Sequence, residues 1–342
     1  MSFAAQRTRS ASLFISNSVL YRSKLLPWAV AVTAGFLLAM IQIKIQKPLL
    51  MAERFGHHGG WIQILLLSSY GFVVSYNMQD PKKLPRWRLF SWSLFATVFF
   101  LQLILGIFIS EKFLMTGKLH LPIPAMILAG PLYRGQLSFM TILFLSTIVL
   151  TGPAWCSQFC YFGAFDGLAA SKKRNRKGIK NILIYKNTVL LLVVVMALIL
   201  RLFNVKTLTA TILGLVFGIA GMAIIIFLSR KKGKMIHCTL YCPIGTMVHY
   251  LKFINPFRLR IDNNCNLCTA CVPVCRYGAL DVANIKKHRP GITCTLCGDC
   301  VQTCHSGSIH YKLFNFSPRT SRLIYLFLTI TIHTVFLGLA RI

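Results

Sequence analysis

The chain has 342 residues, of which 55% are hydrophobic and only 13% are charged, a composition that excludes an ordinary soluble enzyme and is typical of a membrane protein. Its formal net charge is +31, from 38 Lys and Arg against 7 Asp and Glu. Such a charge often indicates nucleic-acid binding, but here the basic residues form short runs beside apolar segments. That pattern indicates orientation in a membrane and attraction to anionic lipid, so we expect no nucleic-acid partner.

The chain begins with a polar and basic segment, 1–24, and continues with apolar segments that are each long enough to cross a bilayer. We expect the first of these to be a retained signal anchor, because no small-residue cleavage pattern precedes Gln42. The apolar segments lie at about 25–43, 61–78, 89–109, 137–153, 187–203, 209–229 and 322–340. The sequence therefore predicts an all-α polytopic membrane bundle of about seven spans.

Three basic runs set the orientation of these spans. They lie at 82–88, 172–180 and 230–234, and all three fall on the side of the N-terminus if every apolar segment crosses once. Because basic loops stay in the cytoplasm, we expect a multi-pass protein of the bacterial inner membrane with its N-terminus inside. The cysteine-rich stretch before the last span then also lies on the cytoplasmic side.

A C-x3-C motif follows each of two spans that run inward. One motif joins Cys156 to Cys160, the other joins Cys238 to Cys242, and in both a glycine stands three residues after the second cysteine. Cysteines four residues apart on an α-helix share one face, so two such pairs at one depth would supply four ligands to a cluster or to another soft metal. Buried or lipidated thiols without a metal, and a thiol–disulfide pair, are the alternatives.

Eight further cysteines form a doubled C-x2-C-x2-C-x3-C pattern between Cys265 and Cys304. In this spacing three cysteines wrap one 4Fe–4S cluster and the fourth reaches the other cluster. Zinc sites instead show two C-x2-C pairs far apart, and no cysteine is left over for a disulfide. The sequence therefore predicts two 4Fe–4S clusters with crossed ligands, and a site at the C-x3-C pairs would be the third. The first cluster takes Cys265, Cys268, Cys271 and Cys304. The second cluster takes Cys294, Cys297, Cys300 and Cys275.

Two features of the apolar part bear on quinone binding. The segment from His120 to Pro131 is apolar and broken by prolines, so it is either a plain loop or a re-entrant piece that lines a quinol pocket. His333 lies inside the last predicted span, where an ionisable residue is a functional candidate.

Membrane spans, paired C-x3-C motifs and a ferredoxin-type segment together resemble the NapH/NosR/CcoG-type membrane iron–sulfur proteins over roughly 137–312. The NapH-like branch is the closest, since the flavin-attachment pattern of the NosR branch is missing. The resemblance implies that the four C-x3-C cysteines match the family's membrane-surface motif and that Cys265–Cys304 matches its ferredoxin module. It also implies quinol oxidation with delivery of electrons to reductases, and in one branch copper handling during oxidase assembly.

The chain departs from the family pattern at three positions. Tyr161 follows Cys160 where the motif has proline, and Arg276 and His305 follow the last cysteine of each ferredoxin half, where bacterial ferredoxins commonly have proline. Arg276 and His305 place positive or titratable side chains beside the clusters, which should favour their reduced, more negative form. These departures bear on cluster potential more than on cluster presence.

We expect four parts: an inner-face segment at 1–24, a transmembrane bundle at 25–257, a small α+β two-cluster ferredoxin-like domain at 258–312, and a final helix at 313–342. The predicted function is electron relay between the quinone pool and a partner redox protein or reductase, with quinone as a further cofactor. As an enzyme the chain would be the quinol dehydrogenase component of a respiratory system, with no acid–base catalytic residues. The alternative is a factor that reduces or delivers copper for a respiratory enzyme.

Overall fold

The computed structural model describes residues 22–45, 48–114, 122–175, 178–179 and 181–339. In this part of the chain a helical bundle carries one two-stranded sheet, so the predicted fold class is confirmed. Six helices are long and apolar enough to cross a membrane. They are Leu25–Lys44, Leu84–Phe108, Phe139–Phe159, Ile182–Leu202, Thr207–Lys232 and Pro318–Leu339. We label the first two α1 and α4, and the last one α13.

The predicted span at 61–78 forms the helix Gly59–Met78 (α3), which is not among those six. Its 20 residues give a length of about 30 Å, which matches the hydrocarbon core of a bilayer. Tyr70 on α3 contacts His333 on α13 through a 3.0 Å hydrogen bond. At Gly71 an added Cβ would lie 3.3 Å from Val30 of α1 and 3.1 Å from Thr334 of α13. Because it packs between two spans, α3 lies at their depth although it is less apolar.

The helix ends show which parts of the chain share one side of the bundle. Arg22 before α1 forms a 3.3 Å ion pair with Asp80 after α3, and the Arg319 guanidinium at the start of α13 donates to the carbonyl of Arg22. At the opposite end, the Gln63 side chain of α3 donates to the carbonyl of Gly338. The cysteine-rich segment 258–312, which we call the insert, directly precedes α13, so it lies on the side where α1 begins. We call that side the insert end.

The shorter helices connect the spans. They are α2 (Met51–Phe55), α5 (Met126–Arg134), α7 (Tyr161–Ser171), α10 (Arg230–Lys232), α11 (Pro243–Leu251) and α12 (Val282–Lys286). Three helices form the middle spans. The helix α8 (Ile182–Leu202) is a whole span, and α6 (Phe139–Thr151) and α9 (Thr207–Ala223) are the first parts of theirs. Single 3-10 turns lie at Glu111–Phe113, Gly152–Ala154 and Val301–Thr303. Three π-turns complete the helical elements, at Trp155–Phe159, Ile224–Ser229 and His237–Tyr241.

Strand β1 (Arg258–Ile261) pairs antiparallel with β2 (Ile309–Lys312), with Ile261 opposite Ile309. Alternate residues point inward, and Leu259 and Tyr311 are buried as the period of two requires. The sheet closes the whole intervening segment into one loop. It therefore brings the start of the first cysteine run close to the end of the second.

Candidate functional site

The first predicted quartet lies in one cavity of the insert, whose lining includes Cys265, Cys268, Cys271 and Cys304. Burial raises the pKa of Cys271 to about 11, and the negative charges of Cys304, Cys268 and Cys265 add to that shift. The fourth member of this group thus comes from the second cysteine run. Cys268 is exposed, so this quartet lies at the surface of the insert.

The second quartet is deeper. Burial raises the pKa of Cys300 well above its usual value, and repulsion from Cys297, Cys275 and Cys294 adds to the shift. Cys275 comes from the first run, so the structure groups the cysteines in the crossed arrangement that the spacing predicts. Cys271 of the first quartet also acts on Cys300, so the two quartets are neighbours.

The backbone of the two cysteine runs repeats a left-handed pattern. Leu267 and Thr269 have positive φ in the first run, and Leu296 and Gly298 have positive φ at the matching positions of the second. Such residues turn successive N–H groups into one concavity, which is a common way to bind phosphates and iron–sulfur groups. Side chains other than glycine adopt this backbone at a cost, and strain of this kind concentrates at functional sites. The backbone of both runs therefore fits an anionic cluster.

Each C-x3-C motif lies in a π-turn rather than on one face of an α-helix. The N–H of Cys160 donates to the carbonyl of Trp155 at 2.9 Å, and the N–H of Cys242 donates to that of His237 at 2.8 Å. The second cysteine is extended in both motifs, with φ −83° and ψ 119° at Cys160 and φ −75° and ψ 118° at Cys242. The α-helical geometry expected from the four-residue spacing is thus replaced by a wider turn that ends at the second thiol. The span before the first motif also runs from Phe139 to Phe159 rather than ending near 153, so Cys156 lies within its last turns.

The repeated glycine of the two motifs has a steric cause. A Cβ at Gly163 would lie 3.1 Å from the carbonyl oxygen of Cys156 and 2.5 Å from the Trp92 ring. A Cβ at Gly245 would lie 2.4 Å from the carbonyl oxygen of Cys238. In each motif the helix after the second cysteine therefore packs directly on the backbone of the first cysteine.

The four C-x3-C thiols are buried together at the insert end of the bundle. Burial raises the pKa of Cys238 well above its usual value, and the charges of Asp166, Cys160, Cys156 and Cys242 raise it further. The carboxylate of Asp166 also accepts the N–H of Cys238 at 2.9 Å. The N–H of Gly245 points at the Cys242 sulfur, 3.5 Å away. The two motifs thus lie side by side, and we call the place where the thiols of Cys156, Cys160, Cys238 and Cys242 meet the C-x3-C pocket.

Buried lysines near the cysteines have no carboxylate partner among the described residues. Lys234 is 2% exposed and donates to the carbonyls of Val272 and Cys275, and its pKa is lowered by burial and raised by Cys275. Lys186 is fully buried and lies within electrostatic reach of Cys156. A buried charge needs an opposite charge nearby. Thiolates that hold an anionic cluster would supply it at both places, so the residues present fit this group.

No three His, Cys, Asp or Glu side chains converge on a single-ion position in the part of the chain that the structure describes. A lone zinc or copper ion draws its ligands around one point, whereas the four irons of a cubane take one thiolate each.

Direct contacts join the C-x3-C site to the second quartet. The hydroxyl of Tyr277, two residues after Cys275, donates to the carbonyl of Cys156 at 2.7 Å. The hydroxyl of Ser157 donates to the carbonyl of Thr295, which follows Cys294. The sites therefore form a row from the membrane to the surface: the C-x3-C pocket, the second quartet, and the first quartet with its exposed Cys268.

An apolar cavity of ≈ 330 Å³ reaches the C-x3-C site from within the bundle. Its lining includes Leu49 and Leu339 towards the end opposite the insert, and Cys160 and Tyr161 at the insert end. Phe99, which also lines the cavity, stacks on Tyr161 with ring centroids 4.1 Å apart. A volume of this size is typical of small-ligand sites.

The proline-broken segment contributes to that cavity through Pro124 and Ile127, while His120 lies outside the described residues. His333 is buried, and its ring nitrogens contact the Tyr70 hydroxyl and the carbonyl of Gln158, which lies between Cys156 and Cys160. His333, a functional candidate from the sequence, therefore lies directly against the turn that holds Cys156 and Cys160. Sequence reasoning missed Tyr277 and Asp166, because nothing in their local patterns distinguishes them from ordinary core and helix residues.

A family model described as a 4Fe-4S binding domain matches residues 136–180 and 215–260. Each matched part contains one C-x3-C motif, and the matches cover the whole of the span Phe139–Phe159 and most of the span Thr207–Lys232. Curated proteins and solved structures yield no match. The match supports a ferredoxin-like iron–sulfur protein, and it falls on the C-x3-C halves rather than on the eight-cysteine insert.

Proposed function

We propose that the chain relays electrons between the membrane quinone pool and a partner redox protein, as the quinol dehydrogenase component of a respiratory system. The observation that carries this proposal is the continuous path from the apolar cavity to the exposed Cys268. Cys160 lines the cavity, Tyr277 joins the C-x3-C pocket to the second quartet, and Cys271 adjoins Cys300. A 4Fe–4S group, when bound, supplies one-electron transfer at each of the three positions.

The residues of the path exclude water and hold the sites in place. The four C-x3-C thiols are each less than a tenth exposed, and Trp92 anchors their turn by donating to the carbonyl of Cys160 at 2.8 Å. Tyr277 is 2% exposed and fills the space between the C-x3-C pocket and Cys297, whose charge also acts on its hydroxyl. Fixed, dry contacts of this kind keep neighbouring redox groups at constant separation.

The cavity supports quinone as the membrane reactant. Its lining is almost wholly apolar and aromatic, as a quinone ring and isoprenoid tail require, and it lies within the span region where such lipids move. Tyr161 and Cys160 place a hydroxyl and a thiol at the end nearest the C-x3-C pocket. We further propose a NapH-like protein of the bacterial inner membrane with the insert on the cytoplasmic side, because the basic runs at 82–88, 172–180 and 230–234 lie on the side of the insert.

Substitution of the C-x3-C cysteines tests the proposal. We expect Cys156→Ala and Cys238→Ala to lose about one third of the bound iron, since 4 of the 12 cysteines form this site, and to lose quinol-dependent reduction in stopped-flow absorbance. Ser146→Ala, on the lipid-facing side of α6, is the matched control and should keep both properties. If iron content stays complete while bound copper disappears, the chain is a copper-handling factor instead.

A further inference from the structure

A third cavity, of ≈ 350 Å³, opens at the base of the insert and is lined by cations. Lys252, Arg258, Arg260, Lys287 and Arg289 all line it, and Cys294 lines it as well. No carboxylate is among the described residues that line it. Five positive charges around one concavity repel each other unless an anion enters it.

Two of these cations are fixed by backbone carbonyls rather than by acidic groups. The Lys252 ammonium donates to the carbonyl of Ile292 at 2.5 Å, and the Arg258 guanidinium donates to the carbonyls of Asn255 and Phe257. Burial, and then repulsion from Arg260, lowers the pKa of Arg258. Lys252 and Arg258 are therefore held in place without a carboxylate in the cavity, and the negative group that acts on Lys252 is the thiolate of Cys294.

The depth of the cavity follows from contacts with the spans beside it. The Asn255 side chain donates to the carbonyl of Val149 inside α6 at 2.7 Å, and Tyr250 bonds to Asn187 in the first turns of α8. Between them, Phe253 and Ile254 are each 63% exposed at that same level. Exposed apolar side chains beside a cluster of cations are typical of a segment in the lipid headgroup layer.

We propose that this cavity binds the phosphate group of an anionic phospholipid at the membrane surface. The exposed cations Arg260, Lys287 and Arg289 bind the phosphate oxygens, Phe253 contacts the acyl region, and Lys252 lies between the bound anion and Cys294. A phospholipid headgroup and free phosphate share this oxyanion chemistry, but only the lipid also uses the exposed apolar side chains. The proposal is independent of the direction and even of the existence of electron relay.

Lipid retention by the full-length protein tests the site. We would purify the variant Arg260→Gln/Lys287→Gln/Arg289→Gln and measure binding of phosphatidylglycerol in phosphatidylcholine nanodiscs by native mass spectrometry. The matched control is Lys82→Gln/Lys83→Gln/Arg86→Gln, which removes three exposed cations from another basic run at the insert end. At low salt we expect the site variant to bind about a hundredfold more weakly, from about 1 kcal/mol per cation, and the control, whose basic run offers surface charge but no cavity, to lose clearly less affinity.

Each other outcome overturns the proposal. Equal loss in both variants would mean that lipid binds to surface charge in general. Displacement of the lipid by millimolar inorganic phosphate, with phosphate retained in detergent without lipid, would make free phosphate the ligand. Loss of polyglutamate binding with full lipid retention would make the cavity a docking surface for an acidic protein.

Discussion

Arg88 of α4 and Asp299 of the insert form a buried ion pair in which Nη2 and Oδ2 are 2.7 Å apart and Nε and Oδ1 are 3.1 Å apart. The third nitrogen of the guanidinium, Nη1, donates to the carbonyl of Ser157 at 2.9 Å. One side chain thus joins a membrane span, the C-x3-C turn and the second cysteine run. The two groups are 1% and 6% exposed, so the pair is shielded from water and from salt.

Removal of one partner of this pair should strongly destabilise the folded protein. We expect Arg88→Gln to destabilise the folded protein by about 3–5 kcal/mol, because the Asp299 carboxylate would be left buried without its counter-charge. Thermal unfolding in detergent, followed by the release of iron, measures the effect. Arg86→Gln, two residues earlier and exposed, is the control and should change stability by less than about 0.5 kcal/mol. If both variants unfold at the wild-type temperature, the pair does not hold the insert to the bundle.

The repeated glycine gives a second prediction. A Cβ at Gly245 would press on the carbonyl of Cys238, so Gly245→Ala must push apart the helix α11 and the π-turn that holds this cysteine. We expect the variant to lose iron at the C-x3-C site while the insert keeps its own. Iron content and EPR intensity would show this. Gly178→Ala is the control, since an added Cβ there meets nothing within 4 Å. Full iron content in Gly245→Ala would contradict this packing.

The crossed grouping of the cysteines in the insert predicts which cysteine substitutions remove the same EPR signal. Cys304→Ala and Cys265→Ala should remove the same EPR signal, because both thiols line one cavity although they lie at opposite ends of the segment. Cys275→Ala should instead match Cys297→Ala. Spin quantitation of each reduced variant distinguishes the two classes. A signal shared by Cys275→Ala and Cys265→Ala would show that each cysteine run holds its own cluster.

The repeated spacing of the cysteines predicts crossed ligation, and the structure brings Cys304 of the second run to the cavity lined by Cys265, Cys268 and Cys271 of the first. The bundle was likewise predictable, since 18 or more apolar residues must cross the bilayer as a helix. The boundaries of the spans were harder to predict. The span expected at 137–153 continues through a π-turn to Phe159. Long-range contacts hold this turn, because Trp92 and Arg88 of α4 donate to the carbonyls of Cys160 and Ser157.

The contacts that join the sites could not be predicted from sequence. Arg88 and Asp299 are 211 residues apart, and Tyr277 lies 121 residues from the carbonyl of Cys156 that it binds. An arginine near the start of a span is ordinarily a solvated positive-inside residue. Only the docking of the insert on the bundle converts it into a buried ion pair.

A buried histidine gives the protein a pH-dependent stability. His249 on α11 is 1% exposed, and burial together with the charges of Lys186 and Lys252 lowers its pKa well below 6.5. The Lys186 ammonium lies 3.1 Å from its Nδ1, which must therefore accept and be unprotonated. In the unfolded chain the His249 ring binds a proton as the pH falls below about 6.5, whereas in the folded chain the ring stays neutral there. Stability is thus complete above pH 6.5 and is lost as the pH falls below it.

Comparison of two variants isolates this effect. We expect the melting temperature of the wild type to fall between pH 7.5 and 5, and His249→Gln to show a smaller fall than the wild type. His57→Gln, which replaces an exposed histidine at the far end of the bundle, should follow the wild type. Parallel curves for all three proteins would show that His249 is not held neutral in the fold.

The apolar cavity can be tested by filling it. Leu143 lines the cavity, whereas its neighbour Ile142 is 55% exposed on the outer face of the same helix. We expect Leu143→Trp to occupy much of the ≈ 330 Å³ and to slow reduction by a short-chain quinol at least tenfold. Dithionite should still reduce the variant fully, because the sulfur ligands are untouched. Ile142→Trp adds the same ring on the lipid side and should keep the wild-type rate. Equal rates in all three proteins would place the quinol outside this cavity.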